Sequence, residues 1–151
     1  MTPLPPLFAN WFAAKGWHIH PHQQDMLDRA DAPALLLIAP TGGGKTLAGF
    51  LPTLVDLARQ PHDGLHTLYV SPLKALAADI KRNLTTPVTE MALPIRIEDR
   101  TGDTPATRKR RQRADPPHIL LTTPESLALL TSYPDAPHIF KGLKRVIVDE
   151  C

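Results

Sequence analysis

An unbroken apolar run, Ala34-Leu35-Leu36-Leu37-Ile38-Ala39, leads straight into Pro40-Thr41-Gly42-Gly43-Gly44-Lys45-Thr46, and a helical pattern starts at once behind it. Few folds accommodate that order. The run reads as a strand buried on both faces. Consecutive glycines let a backbone curl with its N–H groups converging, and the N-terminus of the next helix adds the positive end of its dipole. Such a loop binds a polyphosphate. Thr41, Gly42, Gly43 and Gly44 would line the cradle, Lys45 would reach the β and γ phosphates, and the Thr46 hydroxyl would ligate Mg²⁺. A glycine-rich turn with an incidental lysine is the plainer alternative, and the strand–loop–helix setting disfavours it.

The rest of the chain keeps the same rhythm. Residues 44–60 carry Leu47, Phe50, Leu51, Leu54, Val55 and Ala58 at helical spacing, with Pro52 expected to kink or break the helix. A strand is predicted at 67–70, a helix from about 73 to 83 or a little beyond, and a short strand at 95–97. Asp103 or Thr104 is expected to cap a helix with Pro105 at its first position. A strand follows at 118–121, then Thr123-Pro124 opens a helix to about Leu130, and a strand at 146–148 runs into Asp149-Glu150. The 17 prolines fall mostly between these segments, as punctuation. Strands alternating with helices imply an α/β fold, a parallel sheet with helices on both faces in three layers, and ligands at the carboxyl ends of the strands. Residues 1–30 read as an N-terminal segment and 31–151 as the nucleotide-binding lobe.

The Asp149-Glu150 pair completes a hydrolytic site on this reading. Hydrolysis of a nucleoside triphosphate needs one carboxylate to hold the Mg²⁺ shell and one to orient water. Asp149 is assigned to the metal and Glu150 to the water. An acidic strand end facing solvent is ordinary by itself; the phosphate loop upstream reverses those odds.

Composition excludes several classes. With 42% hydrophobic and 21% charged residues, the chain can bury a core. A net charge of +2 permits a nucleic-acid partner without arguing for one. The single cysteine, Cys151, allows no internal disulfide. No signal peptide is visible in the proline-broken opening, and the apolar run at 32–40 is too short to span a bilayer. A soluble cytoplasmic protein with no membrane partner is expected.

The ordered motifs resemble those of superfamily 2 DExH-box helicases, and within them the Lhr-like, ligase-associated DNA helicases. Pro21-His22-Gln23 looks like the end of a Q motif, Ala39 to Thr46 matches motif I, and Ser71-Pro72-Leu73-Lys74-Ala75-Leu76 matches motif Ia. Thr101-Gly102-Asp103-Thr104 resembles the loop between motifs Ia and Ib, Thr122-Thr123-Pro124-Glu125 matches motif Ib, and Val148-Asp149-Glu150-Cys151 matches motif II. The opening, from Leu4-Pro5-Pro6 through Trp11-Phe12 to Gly16-Trp17, points toward the ligase-associated group.

The resemblance implies a RecA-like P-loop NTPase lobe with ATP and Mg²⁺ as cofactors and Gln23 reading the adenine edge. It implies a strand of single-stranded or partly duplex DNA held by Ser71, Pro72, Lys74, Thr101, Gly102, Thr122, Thr123 and Pro124. Helix N-termini near Thr104 and Thr123 suit phosphate oxygens independently of the family. It further implies movement toward the 5′ end of the bound strand and a repair role beside a DNA ligase and an exonuclease. Motif II breaks off before its histidine, and motif III and the second RecA-like lobe with its arginine finger are missing. On that account the isolated chain is expected to bind nucleotide weakly and hydrolyse it poorly.

Two other readings stay open: an ATP- and nucleic-acid-binding segment without catalysis, and a small-molecule P-loop kinase, in which the Ser71 and Thr122 motifs have no place. The basic run Arg108-Lys109-Arg110-Arg111-x-Arg113 reads mainly as a solvated helix face rather than a phosphate clamp. His18, His20 and His22 alternate, but Pro21 interrupts them and no carboxylate or cysteine stands at matching spacing, so a metal site is not assigned.

Overall fold

Thr67-Leu68-Tyr69-Val70 and Ile119-Leu120-Leu121-Thr122 are buried at every residue, and they form the centre of a parallel sheet. A computed structural model of the protein describes residues 1–39 and 44–149. Two compact units divide the chain: Met1–Gln60 with Pro87–Leu93, and Pro61–Thr86 with Pro94–Cys151.

The second unit holds the sheet. Its elements follow as β1 (Thr67–Val70), α4 (Lys74–Glu90, whose last turn belongs to the first unit), β2 (Ile97–Arg100), α5 (Ala106–Ala114), β3 (Ile119–Thr122), α6 (Pro124–Ser132), α7 (Ala136–Phe140) and β4 (Arg145–Val148). The spatial order is β2-β3-β1-β4, and every pair is parallel. Each connection passes through helix, as parallel pairing demands. Arg100, Thr122, Val70 and Val148 stand in one cross-strand row, so the turns that follow all emerge at the same carboxyl edge.

On one sheet face, Leu68, Val70 and Leu120 pack with Leu65, Leu130 and Ile139, with Leu127, Tyr133, Phe140 and Leu143 around them. Burying each such side chain stabilises by about 1.5–3 kcal/mol.

The first unit is helical: α1 (Pro6–Ala14), α2 (Pro21–Asp28) and α3 (Lys45–Arg59). α1 buries Phe8, Trp11 and Phe12, and α3 buries Ala48, Phe50, Leu51, Leu54 and Val55. Trp11 meets Phe12 and Trp17 edge-on at 5.5 and 5.4 Å, and its indole N–H donates to Glu90 at 3.2 Å. Lys15 pairs with the same carboxylate at 2.8 Å and holds it below the usual range for a glutamate.

Several expectations need correction. Residues 34–39 form no strand; Leu36 and Ile38 are each 85% exposed. An apolar run becomes a strand only where a neighbour completes its hydrogen-bond ladder, and none of the described strands pairs with it. The strand predicted at 95–97 lies at 97–100, because pairing with Ile119–Thr122 sets its register. Neither Asp103 nor Thr104 caps α5. The Thr104 hydroxyl is consumed by the Thr101 N–H at 2.9 Å, and Pro105 takes the cap position. α3 continues through the buried Pro52, and α4 runs on through Pro87 to Glu90. Helices α1, α2 and α7 were not predicted. Thr123 caps α6 as expected, accepting from the Ser126 N–H at 3.3 Å.

Candidate functional site

In the first unit the end of the glycine loop is built on a single backbone choice. Gly44 sits at φ +75°, in the left-handed region that glycine enters without strain. Its carbonyl accepts from the Ala48 N–H at 2.9 Å, which opens α3, and from Gln23 Nε2 at 3.3 Å. No side chain caps α3, so its first-turn amides are placed to meet an anion. Lys45 and Thr46 are the first two residues of the helix. Thr41, Gly42 and Gly43, expected to complete the cradle, lie outside the described residues, as does Glu150.

Gln23 is 2% exposed, and both ends of its amide are engaged. Oε1 accepts from the His20 N–H at 2.9 Å, closing a capping box at the start of α2, and Nε2 reaches Gly44. This residue, expected to read a base edge, also ties α2 to the phosphate loop. The His20 and His22 rings stack at 5.4 Å, and the described residues hold no cluster of three or more metal-ligating side chains.

In the second unit the candidate residues gather along the carboxyl edge of the sheet. Asp149 follows β4 directly; its N–H donates to the Val70 carbonyl at 3.0 Å, and its Oδ2 accepts from the Tyr69 hydroxyl at 2.8 Å. Sequence reasoning passed over Tyr69. It shares a sheet face with Asp149 only because β1 lies beside β4, and strand adjacency is not written in a local motif.

The expected nucleic-acid residues divide into two sets. Ser71, Thr101, Thr122 and Thr123 are buried, and their hydroxyls serve the chain's own backbone. Ser71 Oγ accepts from the Leu73 N–H at 3.3 Å and Thr101 Oγ1 from the Asp103 N–H at 3.2 Å, while Thr122 donates to the Arg100 carbonyl at 2.7 Å. Pro72, Lys74, Gly102 and Pro124 are exposed. Lys74 pairs with Asp103 at 3.5 Å, bridging the turns after β1 and β2. The hydroxyls shape the turns, and the exposed set is what a ligand would meet.

The basic run on α5 is partly internal. Arg111 pairs with Glu98 at 2.6 Å, and Arg113 pairs with Asp135 at 3.0 Å while lying over the Tyr133 ring. Arg108 and Arg110 are exposed. Arg100, buried to 2% at the end of β2, donates to the Lys109 carbonyl at 3.0 Å and to Gln112 at 3.3 Å, fastening α5 to the sheet. Burial lowers its pKa from the ordinary value.

The donor chemistry fits a magnesium nucleotide. In the first unit, a glycine that excludes a Cβ, helix amides, a lysine and a threonine hydroxyl are donors suited to a polyphosphate; in the second unit, Asp149 is by itself a hard oxygen donor of the kind that Mg²⁺ takes.

Comparisons with known proteins give the family and the fold. A family model described as DEAD/DEAH box helicase matches residues 20–151. The chain is 48% identical over 128 residues to the Lhr helicase/probable uracil glycosylase of Mycolicibacterium smegmatis, covering 76% of this chain and 8% of that protein. It is 38% identical over 156 residues to the ATP-dependent helicase Lhr-Core of Methanocaldococcus jannaschii, covering 93% of this chain and 18% of that protein. A solved structure of Mycobacterium smegmatis helicase Lhr bound to ssDNA and AMP-PNP superposes with a TM-score of 0.86 at 42% identity, covering 97% of this chain and 20% of that one. The chain therefore spans a fifth or less of the length of each of these relatives, and the likeness in structure gives it the RecA-like helicase fold.

Proposed function

This chain belongs to the DEAD/DEAH box helicase family, and from that membership we propose that it is the ATP-binding lobe of an Lhr-like, DNA-dependent motor. The motor hydrolyses ATP to translocate on DNA or separate its strands. The observation that carries the reading is Gly44 in its left-handed conformation, opening α3 with Lys45 and Thr46 in its first turn.

Each residue then has a task. Residues 41–44 and the α3 amides cradle the phosphates, and Lys45 neutralises the β and γ oxygens. Thr46 and Asp149 hold Mg²⁺, which when bound offsets the charge on the transferring phosphoryl group. Glu150 orients the attacking water. Gln23 reads the adenine edge and keeps the loop end in place through Gly44. Along the sheet edge, Pro72, Lys74, Gly102 and Pro124 meet a DNA strand, with Ser71, Thr101, Thr122 and Thr123 setting the turns that present them. A single strand is the favoured ligand because the M. smegmatis relative was solved with one. Repair work beside a ligase and an exonuclease, in the cytoplasm at the nucleoid, extends the same proposal. Among the described residues no helix is long and apolar enough to cross a membrane.

The test is titration of the full chain with a fluorescent ATP analogue and Mg²⁺, with and without single-stranded DNA, beside Lys45→Ala. Saturable binding that Lys45→Ala removes, with an affinity or turnover that DNA changes, is expected. Phosphorylation of a small metabolite without response to DNA would point to a kinase and overturn the motor reading.

A further inference from the structure

We infer that Tyr69 is a positioning residue for the Asp149 carboxylate, its phenol pinning one carboxylate oxygen and thereby setting the orientation of the other. The inference rests on the reading of Asp149 as a Mg²⁺-holding group and assigns it a partner outside the helicase motifs.

The register supplies the geometry. Tyr69 pairs with Ile147, so the two side chains stand on the same face of the sheet. Asp149 lies two residues beyond Ile147, again on that face, roughly 6.6 Å further along at about 3.3 Å per residue. The Asp149 N–H donates to the Val70 carbonyl at 3.0 Å, which holds it beside β1 after β4 has ended. A tyrosine reaching along its strand spans that gap, and its hydroxyl meets Oδ2 at 2.8 Å.

The phenol is a rigid donor. Tyr69 is 1% exposed within a strand buried at every residue, so its ring has no room to swing. A buried tyrosine needs a partner for its hydroxyl, and here the partner is a carboxylate, which makes the bond charge-assisted. The last torsion of an aspartate is soft. A fixed donor on one oxygen stiffens that torsion and points the other oxygen in a set direction. Groups that orient a metal ligand in this way govern metal affinity without touching the metal.

The experiment compares wild type with Tyr69→Phe in the full chain. A fluorescent ATP analogue is titrated in EDTA and, separately, at fixed nucleotide with rising Mg²⁺. Thermal midpoints are taken without ligand. Tyr69→Phe keeps the ring that fills the sheet and deletes the donor. The expected result is a roughly tenfold rise in the Mg²⁺ concentration at half-saturation, with affinity in EDTA held within about twofold. An unchanged Mg²⁺ requirement overturns the inference. So does an equal loss in both arms with a fallen midpoint, which makes Tyr69 a packing residue only. Lys45→Ala serves as the separate control. If it leaves binding intact in both arms, the phosphate-site reading itself fails, and the role of Tyr69 falls with it.

Discussion

The Gln23 amide nitrogen occupies the space where a side chain on Gly44 would begin: a Cβ built there comes within 2.6 Å of Gln23 Nε2. Gly44→Ala is therefore expected to be disruptive twice over. Holding φ at +75° costs alanine about 1–2 kcal/mol, and the Gln23 bond to the Gly44 carbonyl is pushed away. Denaturant unfolding should show the loss in stability, and nucleotide titration a loss of at least about tenfold in affinity. In a Gln23→Ala background the steric part disappears and the backbone strain stays. The two effects should then fail to add, and simple additivity would refute the contact.

Lys74 should matter for DNA and little for folding. It is 57% exposed, and its partner Asp103 is 81% exposed, at 3.5 Å. A pair of this kind contributes little to stability. Lys74→Ala should weaken single-stranded DNA binding and lower the slope of log affinity against log salt by about 0.7. Asp103→Asn should do the reverse, because it removes the carboxylate that competes with a phosphate. Equal affinities across wild type and both variants would remove Lys74 from the interface.

At Thr123 the folding role and the binding role can be separated. The hydroxyl caps α6 and is buried to 3%. Thr123→Ala should cost about 1 kcal/mol of unfolding free energy, and Thr123→Ser should recover most of it. A variant that lost DNA affinity at full stability would instead place the hydroxyl on the strand.

His118 predicts a pH dependence. Burial lowers its pKa from 6.5, and Arg96 and His62 lower it further, outweighing the His62 carbonyl and Asp115. The hydrogen bonds agree: Nδ1 accepts from the Arg96 N–H at 2.9 Å, and Nε2 lies 3.1 Å from the His62 carbonyl, to which it donates. Only the neutral ring satisfies both. The folded state therefore binds this proton less readily than the unfolded chain. Its contribution is complete above about pH 6.5 and is lost as pH falls through the lower, folded value. The thermal midpoint should decline over that interval in wild type and decline less in His118→Gln.

The sequence disclosed those parts of the fold whose cause is local. β1 and β3 were legible because central strands of a parallel sheet are apolar on both faces, and α6 because Thr123-Pro124 is a cap followed by a permitted proline. β2 was displaced by two residues in the reading because Ile95 and Ile97 drew attention, whereas the strand runs through Glu98, Asp99 and Arg100 at the sheet edge, where pairing rather than hydrophobicity decides. The opening helices were hidden by Pro6 and Pro21, read as breaks although each stands where a helix begins. At the site, the helix that opens at Lys45 behind Gly44 was legible from the order of the residues around it. The internal duties of Gln23, Thr122 and Tyr69 were not, since each depends on a neighbour that folding supplies from a distant part of the chain.

Chain order and spatial order differ at the carboxyl edge. The turns at 71, 101, 123 and 149 are met across the sheet as 101, 123, 71 and 149. Adjacent strands stand about 4.8 Å apart, so the first three turns lie within about 10 Å of one another. The edge is thus a short ruler with evenly set marks. On the proposed reading, the pitch of the sheet, more than the identity of any one side chain, sets how far apart this lobe would take hold of a strand laid along it.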